Sequence, residues 1–217
     1  SVISRYKVPI LLREVTSLRE LHRFIRFPRQ LYRNHPYGVP GLSLDEYRTP
    51  RWDRNPAFEH CDARYWLACR VGSIVGRVAA SVNHKHIEMW GQPDLRFGWL
   101  DFVDDSVVET ALMGVVEDYA HGQGLTAVHR PLGFTDLDRE GMLVERFDEQ
   151  GTLTTIYNHP YYPRLIEARG YVKDTDWVEY EIQVPAQPNE TIACIAQAAL
   201  RRYHLTLLNA RHKRERL

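Results

Sequence analysis

Phe97-Gly98-Trp99-Leu100-Asp101-Phe102-Val103 runs straight into Asp104-Asp105-Ser106-Val107-Val108-Glu109-Thr110, and the reading of this junction decides the fold of the 217-residue chain. The first seven residues read as a buried strand. Asp104-Asp105 ends it, and from there Val108, Leu112, Val115, Val116 and Tyr119 recur on one face of a helix. That helix stops near Gly122 and Gly124, since glycine takes the left-handed conformation that closes helices. Residues 125–129 read as a second strand, and 162–169 as a short helix closed by Gly170-Tyr171.

Working outward, residues 8–15 form a first strand. Ser17-Leu18-Arg19-Glu20 is a capping box, so a helix starts there. Pro28 has no N–H to give the ladder, and 18–33 is read as two helical pieces. Residues 34–55, rich in Pro, Gly and Arg, read as one long loop. Residues 64–70 and 74–82 are strands joined by Val71-Gly72-Ser73, a link short enough for a hairpin. Residues 84–93 are a polar excursion, 177–184 alternate as a late strand, and 185–188 form a linker. Asn189 then caps a helix striped by Ile192, Ile195, Ala196, Ala199 and Leu200, and 205–208 would be a further strand. This strand-then-basic-helix order loosely repeats 8–26. The expected organisation is therefore one domain over 1–184, with 185–217 beginning a second, truncated copy of it in a longer protein.

Lys+Arg and Asp+Glu are 28 each, giving a formal net charge of zero. No global basic field gathers nucleic acid or anionic lipid. The cysteines Cys61, Cys69 and Cys194 show neither metal-ligand spacing nor a disulfide framework, which suits a reducing cytoplasm. No apolar run approaches the ~20 residues that span a bilayer, and no signal-peptide pattern opens the chain.

The order strand, helices, hairpin, strand, helix, strand, helix, strand resembles the GNAT acyltransferase superfamily. Ala111-Leu112-Met113 through Gly124-Leu125-Thr126 looks like its central helix running into its fifth strand. Leu165-Ile166-Glu167-Ala168-Arg169-Gly170-Tyr171 looks like its closing helix, and Asn158 lies near the Asn that often precedes it. Phe58-Glu59-His60-Cys61, Pro131-Leu132-Gly133-Phe134-Thr135 and Tyr157-Asn158-His159-Pro160-Tyr161-Tyr162-Pro163 are similar to an uncharacterised bacterial GNAT-like group. The resemblance covers residues 8–184. It implies an α/β (α+β) fold: a mixed, mostly antiparallel central sheet with a splayed parallel strand pair and flanking helices. It further implies acyl transfer from acetyl-CoA or another acyl-CoA to a small-molecule amine. Phe102 and Val103 would then face the pantetheine arm from one side, with His129 and Pro131 on the other and Ser106 at the start of the central helix.

Two departures from the family pattern matter. The family cradles the CoA pyrophosphate on a glycine-rich loop at the start of that helix, where free N–H groups meet phosphate. Here Asp104-Asp105-Ser106-Val107-Val108-Glu109-Thr110 stands instead, without glycine. Ser106 and Glu109 read as a capping box, and each carboxylate would oppose a diphosphate by ~1–3 kcal/mol at ~5 Å. The resemblance also places a proton-donating Tyr on the closing helix, where this chain has Ile166. Tyr161 and Tyr162, a turn upstream, are the substitutes as acids, with packing on the sheet as the alternative role.

The long segment 131–157 carries Asp136, Asp138, Glu140, Glu145, Asp148 and Glu149. Long loops at strand ends commonly hold function. Asp136 and Glu145 are the candidates to deprotonate an amine, and solvated loop carboxylates are the alternative. His159 is a further base in reach, against a plain loop role. Asp136-x-Asp138-x-Glu140 lacks the rest of a calcium loop, and His84-x-His86, alternating on an extended segment, lacks a third ligand, so no metal is expected. Two other functions stand beside acyl transfer. One is a non-catalytic GNAT-fold module for ligand binding or domain packing, including a second domain or a homodimer. The other is half of a Fem-like, aminoacyl-tRNA-dependent transferase, against which the zero net charge weighs.

Overall fold

The computed structural model describes residues 8–38, 41, 43–135, 137–152, 155–187 and 189–209. It divides into two compact units, Ser1–Thr175 and Asp176–Leu217. The first unit is built on a sheet of five strands: β1 (Leu11–Glu14), β2 (Cys61–Arg70), β3 (Ser73–Asn83), β4 (Asp94–Phe102) and β5 (Ala127–Pro131). They lie in sequence order. β1 to β4 are antiparallel and β4 pairs β5 in parallel.

Opposite faces of the sheet are covered by different helices. α1 (Leu18–Leu31) buries Leu21, Phe24 and Ile25 against Tyr65, Leu67, Cys69 and Ala79. α4 (Ser106–Gly122) and α5 (Tyr161–Ala168) bury Val108, Leu112, Met113, Val116, Tyr162 and Ile166 against Trp66, Val78, Ala80, Leu95, Phe97 and Phe102. α4 can approach this closely because Gly76 lies beneath it. A Cβ there would stand 2.7 Å from Leu112 Cδ1 and 3.0 Å from Val108 Cγ1. The β2–β3 hairpin turns through Val71 and Gly72 at φ 48° and 77°, the left-handed pair that a two-residue hairpin loop demands.

β4 is irregular where function is expected. Arg77 pairs with Asp101 but Ala79 pairs with Gly98, so β4 carries one extra residue in the bulge. Trp99 sits there at φ 46°. On the other side β5 follows β4 only as far as Phe97, whose carbonyl accepts the Leu132 N–H at 2.7 Å. Pairing ends there, at the last residue of β5, and past Gly98, which still packs on the Leu132 carbonyl, β4 runs on to Phe102 without β5 beside it. β4 and β5 are the parallel pair of the expected fold.

α1 is one helix, not two pieces broken at Pro28. The carbonyl that Pro28 leaves unpaired one turn back, that of Phe24, accepts instead from Arg77 Nη1 at 2.9 Å. A proline costs a helix least when something else takes the orphaned carbonyl. Residues 34–55 contain a short helix, α2 (Ser43–Arg48), before a 3-10 turn over Pro56–Glu59. The polar excursion at 84–93 is also helical in part: α3 (His84–Trp90) is capped by Asn83 and ended by Gly91 at φ 67°. His84 and His86 therefore lie on a helical turn rather than alternating on an extended segment.

In the second unit, α6 (Glu190–Arg202) starts at its Asn189 cap. Residues 177–184 and 205–208 form no strand. Val178, Tyr180, Ile182 and Val184 are exposed, and an alternating pattern makes a strand only where a neighbour takes its N–H and C=O groups.

Gly98→Ala should lower stability by about 1–3 kcal/mol, because the new Cβ collides with the Leu132 carbonyl oxygen. Gly114→Ala, in the interior of α4 with only Arg169 Nη2 at 3.8 Å, should raise it by about 0.5–1 kcal/mol. Urea unfolding of the two variants reads both signs.

Candidate active site

A charged side chain buried on a strand needs a partner, and two neighbouring strands supply each other. Arg77 of β3 and Asp101 of β4 are both buried. Arg77 Nε and Nη2 lie 2.8 and 2.7 Å from Asp101 Oδ2. The guanidinium also sits 4.8 Å over the Phe24 ring. Burial holds the Asp101 carboxyl above its ordinary value, and the Arg77 charge offsets only part of that rise.

Asp101 anchors a hydrogen-bonded chain that leads to the end of β4. The Tyr32 hydroxyl, just past the end of α1, is 3.3 Å from Asp101 Oδ1 and 2.9 Å from the Tyr162 hydroxyl. The Phe102 N–H donates to that Tyr162 oxygen at 2.9 Å. Each hydroxyl has one proton, so every acceptor is satisfied when Tyr162 donates to Tyr32 and Tyr32 to Asp101. Burial raises both phenols well above the ordinary tyrosine range. Next door, the half-buried Tyr161 hydroxyl donates to the Phe102 carbonyl, and it too is raised by burial. The two tyrosines of α5 thus hold both backbone groups of Phe102, where β4 has lost β5 as a neighbour.

A cluster of rings continues from Tyr32. His35 Nδ1 accepts the Tyr37 N–H at 3.3 Å, and its Nε2 is 3.0 Å from the Tyr157 hydroxyl. Tyr157 already gives its proton to the Phe147 carbonyl at 3.0 Å, so His35 Nε2 is the donor. Both ring nitrogens of His35 are committed. His159 lies between two phenol rings, Tyr32 at 4.9 Å and 28° and Tyr161 at 5.3 Å and 17°. Burial and the nearby His35 hold its imidazole below the ordinary histidine value. Asn158 fixes the approach to α5: its amide bridges the Leu143 N–H and carbonyl at 2.6 and 3.1 Å.

The start of α4 opposes anions. Asp105, not Ser106, is the N-cap, accepting the Val107 N–H on its Oδ1 at 2.8 Å. Its carbonyl takes the Val108 and Glu109 N–H groups, and Arg70 Nη2 holds its Oδ2 at 2.7 Å. Ser106 is exposed on the first turn. Glu109 closes no capping box. It is buried on the core face, bonded to the Thr110 hydroxyl at 3.2 Å and pushed up by burial. An anion here would meet Asp104, Asp105 and the Val107, Val108 and Glu109 N–H groups that are already bonded, all of which oppose a diphosphate.

The remaining sequence candidates are dispersed. The Val103 N–H is bonded to the Val75 carbonyl at 3.0 Å. His129 Nε2 is 3.0 Å from Asp174 Oδ2, with Asp94 at 3.9 Å from its other nitrogen. The Pro131 carbonyl accepts the Gly141 N–H. Glu145 is exposed, and Asp136 lies outside the described residues. Asp138 ties a turn by accepting the Phe134 and Thr135 N–H groups. Among the described residues no group of three His, Cys, Asp or Glu side chains gathers as metal ligands. Tyr32, His35, Arg77 and Asp101 were not marked by motif, and Tyr157 only as the first residue of a stretch similar to the GNAT-like group, with no role. The available signal was Arg77, the one charge in β3, and Asp101, set between the apolar Leu100 and Phe102.

The antiparallel run of β1–β4, the parallel β4–β5 pair and the α4 crossover between them define a GNAT-like fold. Two curated bacterial proteins are similar to the chain in sequence. The chain is 31% identical over 173 residues to Protein YghO of Escherichia coli (strain K12), covering 80% of this chain and 44% of that protein. It is 28% identical over 184 residues to Bacterial ceramide synthase of Caulobacter vibrioides (strain NA1000 / CB15N), covering 84% of this chain and 47% of that one. The chain thus spans less than half the length of either. Among solved structures, an aminoglycoside acetyltransferase from an uncultured soil metagenomic sample aligns at TM-score 0.48 and 9% identity, over 81% of this chain and 97% of that one. No protein-family profile matches.

Asp101→Asn should cost about 3–5 kcal/mol, because it strands the Arg77 charge in a buried site. The double replacement Arg77→Met with Asp101→Leu should cost clearly less, and urea unfolding separates the two. Because the folded His159 binds its proton more weakly than the unfolded chain does, its contribution is intact above the unfolded value near 6.5 and is lost as pH falls below it. Unfolding at pH 7.5 and 5.5 should show a larger acid loss in the wild type than in His159→Gln.

Proposed function

We propose that this chain is the N-acyltransferase domain of a longer protein, moving an acyl group from a CoA-type thioester to an amine. The observation that carries the reading is the end of the β4–β5 ladder at Phe97, with Tyr161 and Tyr162 of α5 set at Phe102 beyond it. The relative named a ceramide synthase supports it, since a ceramide is the fatty amide of a long-chain amino alcohol. On that likeness the donor is a fatty acyl thioester and the acceptor a long-chain amine. Tyr161, the more exposed tyrosine, is the acid for the leaving thiolate, and Tyr162 holds β4 in register through Tyr32 and Asp101. The buried free thiols Cys61 and Cys69 suit a reducing compartment. Among the described residues no helix is long and apolar enough to cross a membrane.

A second reading has its own observation. Both backbone groups of Phe102 and most N–H groups at the start of α4 are already bonded, as they would be in a GNAT-fold module with no donor to bind.

The two readings part on ligand binding. With no diphosphate cradle, affinity should come from the acyl chain and pantetheine arm. Calorimetry should then give Kd values for palmitoyl-CoA and S-palmitoyl-pantetheine within about threefold, under 1 kcal/mol. The unfolding temperature should rise with either ligand's concentration. No heat and no shift with either would leave the non-catalytic module in its place.

A further inference from the structure

The acyl-transfer reading needs a base for the acceptor amine, and of the two carboxylates first suggested by sequence only Glu145 lies among the described residues. Glu145 is exposed, with no hydrogen bond among the described residues. The ring cluster beside the end of β4 offers another group. Its two imidazoles are held in opposite ways. His35 has one nitrogen accepting the Tyr37 N–H and the other donating to Tyr157, so it is spent on structure. His159 is clamped by its faces, between the Tyr32 and Tyr161 rings, and among the described residues neither of its ring nitrogens has a hydrogen-bond partner. A ring fixed in orientation but free at its edge is what proton transfer requires. Tyr161 also ties that ring to the site, because its hydroxyl rests on the Phe102 carbonyl at the end of β4.

We infer that His159 is the catalytic base of the acyl transfer, taking a proton from a primary ammonium group presented to the free edge of its ring. The inference rests on the acyltransferase reading and assigns the base within it. The steps balance. The ammonium gives one proton to a ring nitrogen of His159, and the free amine attacks the thioester carbonyl carbon. The C–N bond forms, the C–S bond breaks, and the second nitrogen-bound proton leaves as the amide is made, matched by one taken up by the thiolate. His159 returns its proton to solvent. The groups facing His159 are Tyr32, His35, Tyr157, Tyr161, Tyr162 and Asp104. Of these, burial and His35 favour the neutral ring, so that it is ready to accept a proton at neutral pH, and Asp104 opposes them.

The test uses the full chain, palmitoyl-CoA and sphinganine, with the amide counted by mass spectrometry. His159→Gln should lose about a hundredfold or more in kcat/KM, with palmitoyl-CoA binding within about twofold of wild type. In His159→Ala, added imidazole should restore part of the rate in proportion to its neutral form, which a merely structural role would not produce. A His159→Gln variant within about threefold of wild type, or an alanine variant deaf to imidazole, overturns the base while leaving acyl transfer standing. A wild-type chain that binds palmitoyl-CoA but forms no amide overturns both.

Discussion

One guanidinium ties three elements of this protein together. Arg77 neutralises Asp101 on the neighbouring strand, takes the Phe24 carbonyl that Pro28 releases, and lies over the Phe24 ring. A cation taken from water must recover its solvation in fixed partners, and here those partners come to a β3 side chain from β4 and α1 at once. The register of the β3–β4 bulge and the seating of α1 are therefore not independent. If α1 slid by a residue, the carbonyl would miss the charge. The Tyr32–Tyr162–Phe102 chain begins on the same carboxylate, so the geometry at the end of β4 rests on it too.

Much of the fold was legible because its apolar spacing is strong. The stripe on α4, the β2–β3 hairpin and the short α5 all stand close to where pattern and turn chemistry put them. Errors arose where local rules were outvoted or incomplete. Pro28 reads as a break only while no outside donor is known for Phe24. The α4 cap shifted from Ser106 to Asp105 because Arg70, thirty-five positions away, anchors the aspartate. The strand expected at 177–184 has the right alternation, but alternation names a face and not a neighbour.

The site was less legible than the fold. Family resemblance drew attention to the two tyrosines and to the loss of glycine before α4, and both features frame the end of β4. It said nothing of Tyr32 or His35 and gave Tyr157 no role; these reach the cluster from the loop after α1 and from the long segment before α5. Such residues carry no periodic signal, since their neighbours in space are more than a hundred positions distant. What sequence did contain was a lone charge in β3 and another set between apolar residues of β4. Asking where Arg77 and Asp101 find partners leads directly to Tyr32 and from there to the rings.

The acidic cap of α4 has a further consequence. A helix end normally presents unfilled positive potential, and any polyphosphate passing by is a potential competitor for it. Here Asp105 is a permanently attached counter-anion, locked by Arg70. ATP, ADP and inorganic pyrophosphate therefore meet at this helix start a cap that is already filled and already negative.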